Sequence, residues 1–446
     1  MNRRILQLAI PNIITNITVP LLGMVDMAIV GHLSQSHIGA IAIGTSMFNL
    51  IYWNFGFLRM GTSGFTAQAY GARRMDEAVK ILVRAFTIAL CIAAALLVLQ
   101  RPLARATQLV FNGSSQVMEL ALAYFFVRIW AAPATLGLYA IKGWMIGMQN
   151  SRLPMWIAIA LNIINIACSL FFVLVLHKGI RGVALGTVIA QYSGLAIGML
   201  FLATKYGKVI GRHLDIRGSL RLAELKQFFK VNGDIFLRTV CLALVFTFIT
   251  SASGKMGDDI LAVDALLLQF FTVFSYIMDG FAYAGESLVG RYIGANNRRQ
   301  LQRAVRMILM WGVILTAAFT LAYAVGSNWF LSLFCDKPEV TAHAQPFLFW
   351  TMVIPLCGVG AFLFDGIFIG ATASRQMRNS MFIATAVFFA AYYGLRALTV
   401  TGHTLTPEVI TRWNHVLWIA FMAYLLARGT LQAALLNKAV YSKASK

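Results

Sequence analysis

Twelve stretches of this chain are each long and apolar enough to cross a bilayer, and nothing else in the sequence limits the fold so tightly. A hydrocarbon core about 30 Å thick needs about 20 consecutive apolar residues in a helix. Only helices and closed barrels satisfy their own backbone groups there. Long apolar runs broken by charged loops place spans at 7–31, 38–65, 82–100, 118–146, 154–176, 183–204, 228–252, 260–288, 305–325, 344–371, 379–399 and 411–436. The fold class is therefore an all-α polytopic membrane protein. Composition agrees, with 59% of the 446 residues hydrophobic and 12% charged, against about 25% charged in soluble domains. A water-soluble enzyme, a disordered chain and a disulfide-stapled domain are all excluded. Met1, Asn2, Arg3 and Arg4 precede an apolar run as in a signal peptide. That run continues past Val30 without a small-residue cleavage site, so it reads as a retained first span.

The net charge is +21, from 37 Lys and Arg against 16 Asp and Glu. In a soluble chain this would point to nucleic acid, but here position decides. With the N-terminus inside, 25 of the 37 cations fall on cytoplasmic segments: Arg3 and Arg4; Arg73, Arg74, Lys80 and Arg84; Arg152; seven over 205–230; five over 291–306; Arg375 and Arg378; and four over 428–446. Eight fall outside, at Arg101, Arg105, Lys178, Arg181, Lys255, Lys337, Arg396 and Arg412, and four lie within spans. Such a bias orients both termini to the cytoplasmic side of the inner membrane and accounts for the charge without nucleic acid. The basic face can also touch anionic lipid without a specific site. Of five cysteines, Cys91, Cys168, Cys241 and Cys357 lie in apolar runs and read as packing thiols.

The halves repeat. At a constant offset of 223, Gly31 falls on Gly254, and Gly71 and Ala72 fall on Gly294 and Ala295. Gly143, Gly147, Ser151 and Arg152 fall likewise on Gly366, Gly370, Ser374 and Arg375. Six spans per half give both halves one orientation, related by a pseudo-twofold axis along the membrane normal. This predicts an N-terminal six-helix bundle over 1–204, a cytoplasmic linker over 205–227 and a C-terminal six-helix bundle over 228–446. Two facing bundles imply a transporter with a cavity between them. Nothing in the sequence resembles a channel's selectivity filter, a zincin motif, a phosphate-cradling loop or a nucleophile elbow, so an enzyme is not expected and no cofactor is called for. His32 and His37 sit in the first outer loop, where solvent exposure is the simpler reading.

Ten ionisable residues lie in or at the edges of the spans: Asp26, Arg59, Arg128, Lys142, Asp234, Arg238, Asp264, Asp279, Glu286 and Asp365. Each costs about 2.5–3.5 kcal/mol at a helix centre, so they must face one another or a wet cavity. Asp26 follows Pro11, Pro20 and Gly23 with no basic residue near it in sequence. A carboxylate beside helix breakers can take up a proton or Na⁺ and alter the bend of the helix. Asp264, Asp279 and Glu286 follow helical steps along about 33 Å of the eighth span, flanked by Phe271, Phe274 and Tyr276. They form either a path for an organic cation or counter-charges for Arg59, Arg128 or Lys142. Asp234 and Arg238, four apart, pair with each other or with neighbours. Lys142 and Asp365 occupy equivalent repeat positions with opposite charge, marking an asymmetry between the halves or a salt bridge. The glycine pairs read as close helix packing. Asn162, Asn165, Ser169 and Thr187 can supply neutral oxygens beside Asp26, of the kind hard cations accept.

The chain resembles the multidrug and toxic compound extrusion (MATE) transporters over essentially its whole length, and is most similar to their DNA-damage-inducible-protein F branch. The segments that carry the likeness are VDMAIVGHL in the first span, NIACS and GIRGVALGTVIAQ near 165–191, NGDIFLRT at 232–239, MDGFAYAGESLVGRYIGA at 278–295 and DGIFIGATASRQMRNSM at 365–381. The resemblance implies two bundles that rock between outward and inward states, exporting amphipathic, often cationic compounds in exchange for H⁺ or Na⁺. It implies a coupling site of Asp26, Asn165 and Thr187, with Ser169 where the family has a second aspartate, and a bending proline at Pro11. A single carboxylate favours H⁺; Na⁺ at Asp26, Asn165 and Thr187 stays open. Asp264, Asp279, Glu286, Asp365, Arg59 and Lys142 are candidate cavity charges. The expected partners are small-molecule substrates and the bilayer, around a monomer. A flippase for a lipid-linked anionic precursor is the alternative, and would be favoured by fourteen spans rather than twelve.

Overall fold

A computed structural model describes residues 1–31, 35–110, 114–334, 338–399 and 406–444. His32, Lys337 and Lys446 lie outside the described residues. Regular structure among the described residues is entirely helical. Among the described residues twelve helices are long and apolar enough to cross a membrane: Asn2–Ile29, Ser36–Gly71, Met75–Val98, Ser115–Gly147, Arg152–Val175, Gly179–His213, Leu222–Met256, Asp258–Gly294, Arg298–Phe334, Phe349–Gly370, Ser374–Thr399 and Pro407–Ala444. They are referred to below as the first to twelfth spans.

Several spans outrun their apolar stretches. The third starts at Met75 rather than 82, and the ninth runs over Arg298–Phe334 rather than 305–325. Hydropathy marks only the hydrocarbon layer. Helical hydrogen bonding continues past it wherever Lys and Arg stems can reach water. Several spans contain interruptions: Gln35–Asn54 gives way to Phe57–Gly71 at a turn through Phe55 and Gly56, the fourth tightens to a 3₁₀ turn at Ile129–Ala131, and the fifth widens to a π-turn at Phe171–Val175.

The expected polar connection over 205–226 is largely helical. A π-turn at Leu202–Tyr206 leads into Gly207–His213, and Ile216–Ser219 follows, capped by Asp215, whose Oδ1 accepts from the Gly218 N–H at 2.8 Å. Arg84 of the third span holds this segment down. It donates to the Ser219 carbonyl at 3.0 Å and pairs with Glu224, while only 4% exposed.

The chain forms two compact units, Gln7–Asn232 and Gly233–Lys446 with Met1–Leu6. The division lies inside the seventh span, because the first turns of that helix pack on the N-terminal unit. Phe228 is 1% exposed and stacks on Phe65 at 5.8 Å between ring centroids.

Within each unit the repeat reappears in the backbone. Arg73 and Asn296, 223 apart, both adopt positive φ (59° and 49°), as do Gln149 and Thr372 (64° and 48°). The glycines follow the same rule. A Cβ at Gly143 would clash with the Arg59 carbonyl, and one at Gly366 with the Ala282 carbonyl, again 223 apart. Gly147 and Gly370 meet the carbonyls of Ser63 and Glu286 in the same way. In both units the fourth span of the half therefore lies against the second at backbone distance, which only glycine permits.

Candidate functional site

In the N-terminal unit the first helix, Asn2–Gly31, runs through Pro11 and Pro20. Proline removes an N–H and crowds the preceding turn, and side chains bond to other carbonyls of the same helix. The Thr15 hydroxyl donates to the Pro11 carbonyl at 2.9 Å, and Asn162 of the fifth span donates to the Thr18 carbonyl at 3.3 Å. Asn12 reaches the Ser151 hydroxyl at 3.0 Å. The prolines thus sit in a helix supported from the side by the fifth span.

Asp26 is 4% exposed. The fifth and sixth spans meet at Ser169 and Gly186, where a Cβ on residue 186 would collide with the Ser169 hydroxyl. One turn away Asn165 donates to the Thr187 hydroxyl at 3.0 Å, and Thr187 donates to the Val183 carbonyl at 3.1 Å. Asp26 faces the Ser169 hydroxyl and lies in the field of the Arg128 guanidinium. Arg128 is held by the Tyr124 hydroxyl at 2.6 Å and lies over the Phe48 ring at 4.8 Å. Asp26 Oδ1, Asn165 Oδ1 and Ser169 Oγ are each buried without a hydrogen-bond partner among the described residues. One of these oxygens is the carboxylate's own, and the other two, on Asn165 and Ser169, lie four residues apart on the fifth span.

The acids of the C-terminal unit are engaged differently. Asp365, 6% exposed, pairs with both Arg238 and Arg428 and accepts from Gln432 at 2.9 Å. Asp234 pairs with Arg378 at 2.6 Å and accepts from Ser374 at 2.8 Å. Asp264, 1% exposed, accepts from Asn414 at 3.0 Å, from Trp418 at 2.8 Å and from Ser253. A buried carboxylate with three donors is satisfied without any cation. Phe271 and Phe274, expected to flank a cation path, are buried instead, packed edge-to-face or tilted on Phe246, Phe362, Phe421 and Phe319. Asp279 interacts electrostatically with Tyr276 and Arg428. Glu286 is buried, Arg59 is half-buried, and Lys142 has no ion pair among the described residues.

A sequence profile of the MatE family matches residues 11–171 and 235–393, one block in each half of the chain. The chain belongs to the MatE family. It is 35% identical over 431 residues to DNA damage-inducible protein F of Escherichia coli (strain K12), covering 96% of this chain and 90% of that protein. It is also 26% identical over 378 residues to the probable multidrug resistance protein NorM of Bradyrhizobium diazoefficiens, covering 81% and 78%. Among solved structures, a MATE protein in the bent conformation superposes with a TM-score of 0.85 at 18% identity, over 99% of this chain and 97% of that one. A MatE protein is a multi-pass transporter of the multidrug and toxin extrusion class and not an enzyme.

Within this MatE chain, the sequence places Arg128 among the charges of the spans without linking it to Asp26, and it does not single out Arg428 or Gln432 as partners of Asp365. Arg128 lies 102 positions from Asp26, so the carboxylate that has no base near it in sequence has one near it in space. Arg428 was counted with the cytoplasmic cations, yet it is 2% exposed and bound to Asp365. Gln432 completes the same cluster from the next turn. Their i, i+4 spacing on a helix that continues beyond its apolar run was the available signal. Asp234 and Arg238 do not pair with each other; each takes a partner from a later span.

Proposed function

We propose that this MatE transporter is a proton-coupled antiporter of the inner membrane, exporting amphipathic, often cationic compounds by alternating access, with both termini cytoplasmic. The observation that carries the reading is the surroundings of Asp26: one buried carboxylate, a serine at 169 where the family resemblance leads one to expect a second carboxylate, and a guanidinium already in its field. A proton needs one oxygen. It converts Asp26 to a neutral acid and removes the attraction that holds Arg128 towards the first helix. Burial makes that change of charge consequential, because an unpaired charge is costly away from water.

In the proposed cycle Asp26 is ionised and set against Arg128 while substrate is bound. A proton from outside neutralises Asp26, the first helix readjusts about Pro11 and Pro20, and substrate is released. Return to the inward state delivers the proton to the cytoplasm. Coupling requires only that protonation disfavour the substrate-bound state, typically by about 1–3 kcal/mol.

Sodium coupling is the second reading, favoured by the orphaned oxygens of Asp26, Asn165 and Ser169, since hard cations take oxygen ligands. Arg128 weighs against it: a guanidinium in the same field repels a second resident cation. Asp26→Asn tests the role common to both readings. The variant inserts and folds normally but loses gradient-driven efflux of a fluorescent organic cation. Efflux at the wild-type rate in a correctly folded Asp26→Asn protein contradicts the central role of this carboxylate.

A further inference from the structure

The ninth span begins with arginines that neither the transport cycle nor the packing of the C-terminal unit uses. Arg299, Arg303 and Arg306 follow steps of four and three, so they share one face over the first turns of the helix. With Gln300, Gln302 and Met307 they line a groove of about 690 Å³. All three arginines are exposed. Among the described residues none of them pairs with a carboxylate, and Arg306 lies near the Tyr441 hydroxyl.

The same face continues down the helix as an apolar stripe. Met310, Val313, Leu321 and Val325 are exposed by 38%, 65%, 66% and 82%. The opposite face, through Leu301, Ala304, Val305, Ile308 and Gly312, is buried. From Arg306 to Val325 the stripe is about 29 Å long at the rise of an α-helix, close to the thickness of a bilayer core. One helix face therefore presents three uncompensated guanidinium groups and two amides at its end, then an uninterrupted apolar track.

We propose that this groove is a binding site for an anionic phospholipid. Its phosphate is clamped by Arg299, Arg303 and Arg306, its headgroup hydroxyls meet Gln300 and Gln302, and an acyl chain lies along Met310, Val313 and Leu321. Guanidinium groups take phosphate oxygens in pairs, and the apolar track commits the ligand to a lipid over a soluble phosphate. Under the orientation proposed above the lipid belongs to the inner leaflet. Binding itself can be measured whatever the orientation, so a failed topology leaves this site intact and the reverse holds as well.

The test is native mass spectrometry of the full chain in detergent, titrated with phosphatidylglycerol and with phosphatidylcholine of the same acyl chains. Wild type retains phosphatidylglycerol with a preference of about tenfold or more. The R299Q/R303Q/R306Q variant loses that preference. A control, R212Q/R217Q/R221Q, removes the same charge from the connection before the seventh span and keeps the preference. Inorganic phosphate and glycerol 3-phosphate do not displace the bound lipid. Thermal unfolding of both variants is recorded alongside; the substituted side chains are exposed, so each unfolds near wild type. Equal retention of the two lipids, equal loss in both triple variants, or displacement by inorganic phosphate each overturns the proposal.

Discussion

Asp26 and Asp365 are both buried acids on spanning helices, and their neighbours give them different work. Asp365 is surrounded by two arginines and a glutamine, so its charge is balanced inside the C-terminal unit. Removing it takes from Arg238 and Arg428 the carboxylate they both bind, a change that costs about 3–5 kcal/mol. Asp365→Asn therefore lowers the thermal midpoint in detergent well below that of Asp26→Asn, a difference readable by differential scanning fluorimetry. Asp26 has a single arginine in its field and open oxygens beside it. If Ser169 and Arg128 set the ion, Ser169→Asp combined with Arg128→Gln supplies a second carboxylate and removes the resident cation. Transport by that double variant becomes stimulated by a Na⁺ gradient, where wild type is indifferent; an unresponsive, folded variant counts against this assignment. Asp26, Asn165 and Thr187 are named from the sequence through family resemblance, and of these Asn165 hydrogen-bonds to Thr187. The nearness of Arg128 to Asp26, and of Arg428 and Gln432 to Asp365, is not written in the sequence, because tertiary packing brings them to their acids and no spacing in the chain records it.

At the level of helices, the sequence announces the spans and hides their ends. Apolar runs report where lipid begins, while backbone hydrogen bonding decides where helix stops; the linker over 205–227 accordingly carries much of its charge on helical turns, pinned by Arg84. The repeat was legible as glycines at an offset of 223, and the structure supplies its cause. Gly143 meets the Arg59 carbonyl, and Gly366 meets the Ala282 carbonyl one repeat later. A methyl group at either position has to push two helices apart, so Gly143→Ala and Gly366→Ala each destabilise by about 1–3 kcal/mol. Gly23, around which no atom of the described residues lies within reach of an added Cβ, serves as the control, and Gly23→Ala leaves the thermal midpoint at or above that of wild type. Equal midpoints for all three variants contradict the close approach.

For the molecule as a whole, the charge of +21 gains meaning from where it sits along the chain. The orientation it implies predicts that a single cysteine at Ser442, in a chain with its native cysteines replaced, is labelled by a membrane-impermeant maleimide in inside-out vesicles. In right-side-out cells the same cysteine stays unlabelled. Twelve spans and a MatE profile over both halves establish a multidrug and toxin extrusion transporter, and the coupling ion is the claim on which the mechanism turns. The direct measurement uses purified protein in proteoliposomes, with an imposed pH gradient, Na⁺ absent throughout and a fluorescent organic cation as substrate. The account predicts substrate movement against its gradient that collapses with a protonophore and is missing in Asp26→Asn. Transport that proceeds only when a Na⁺ gradient is supplied contradicts it.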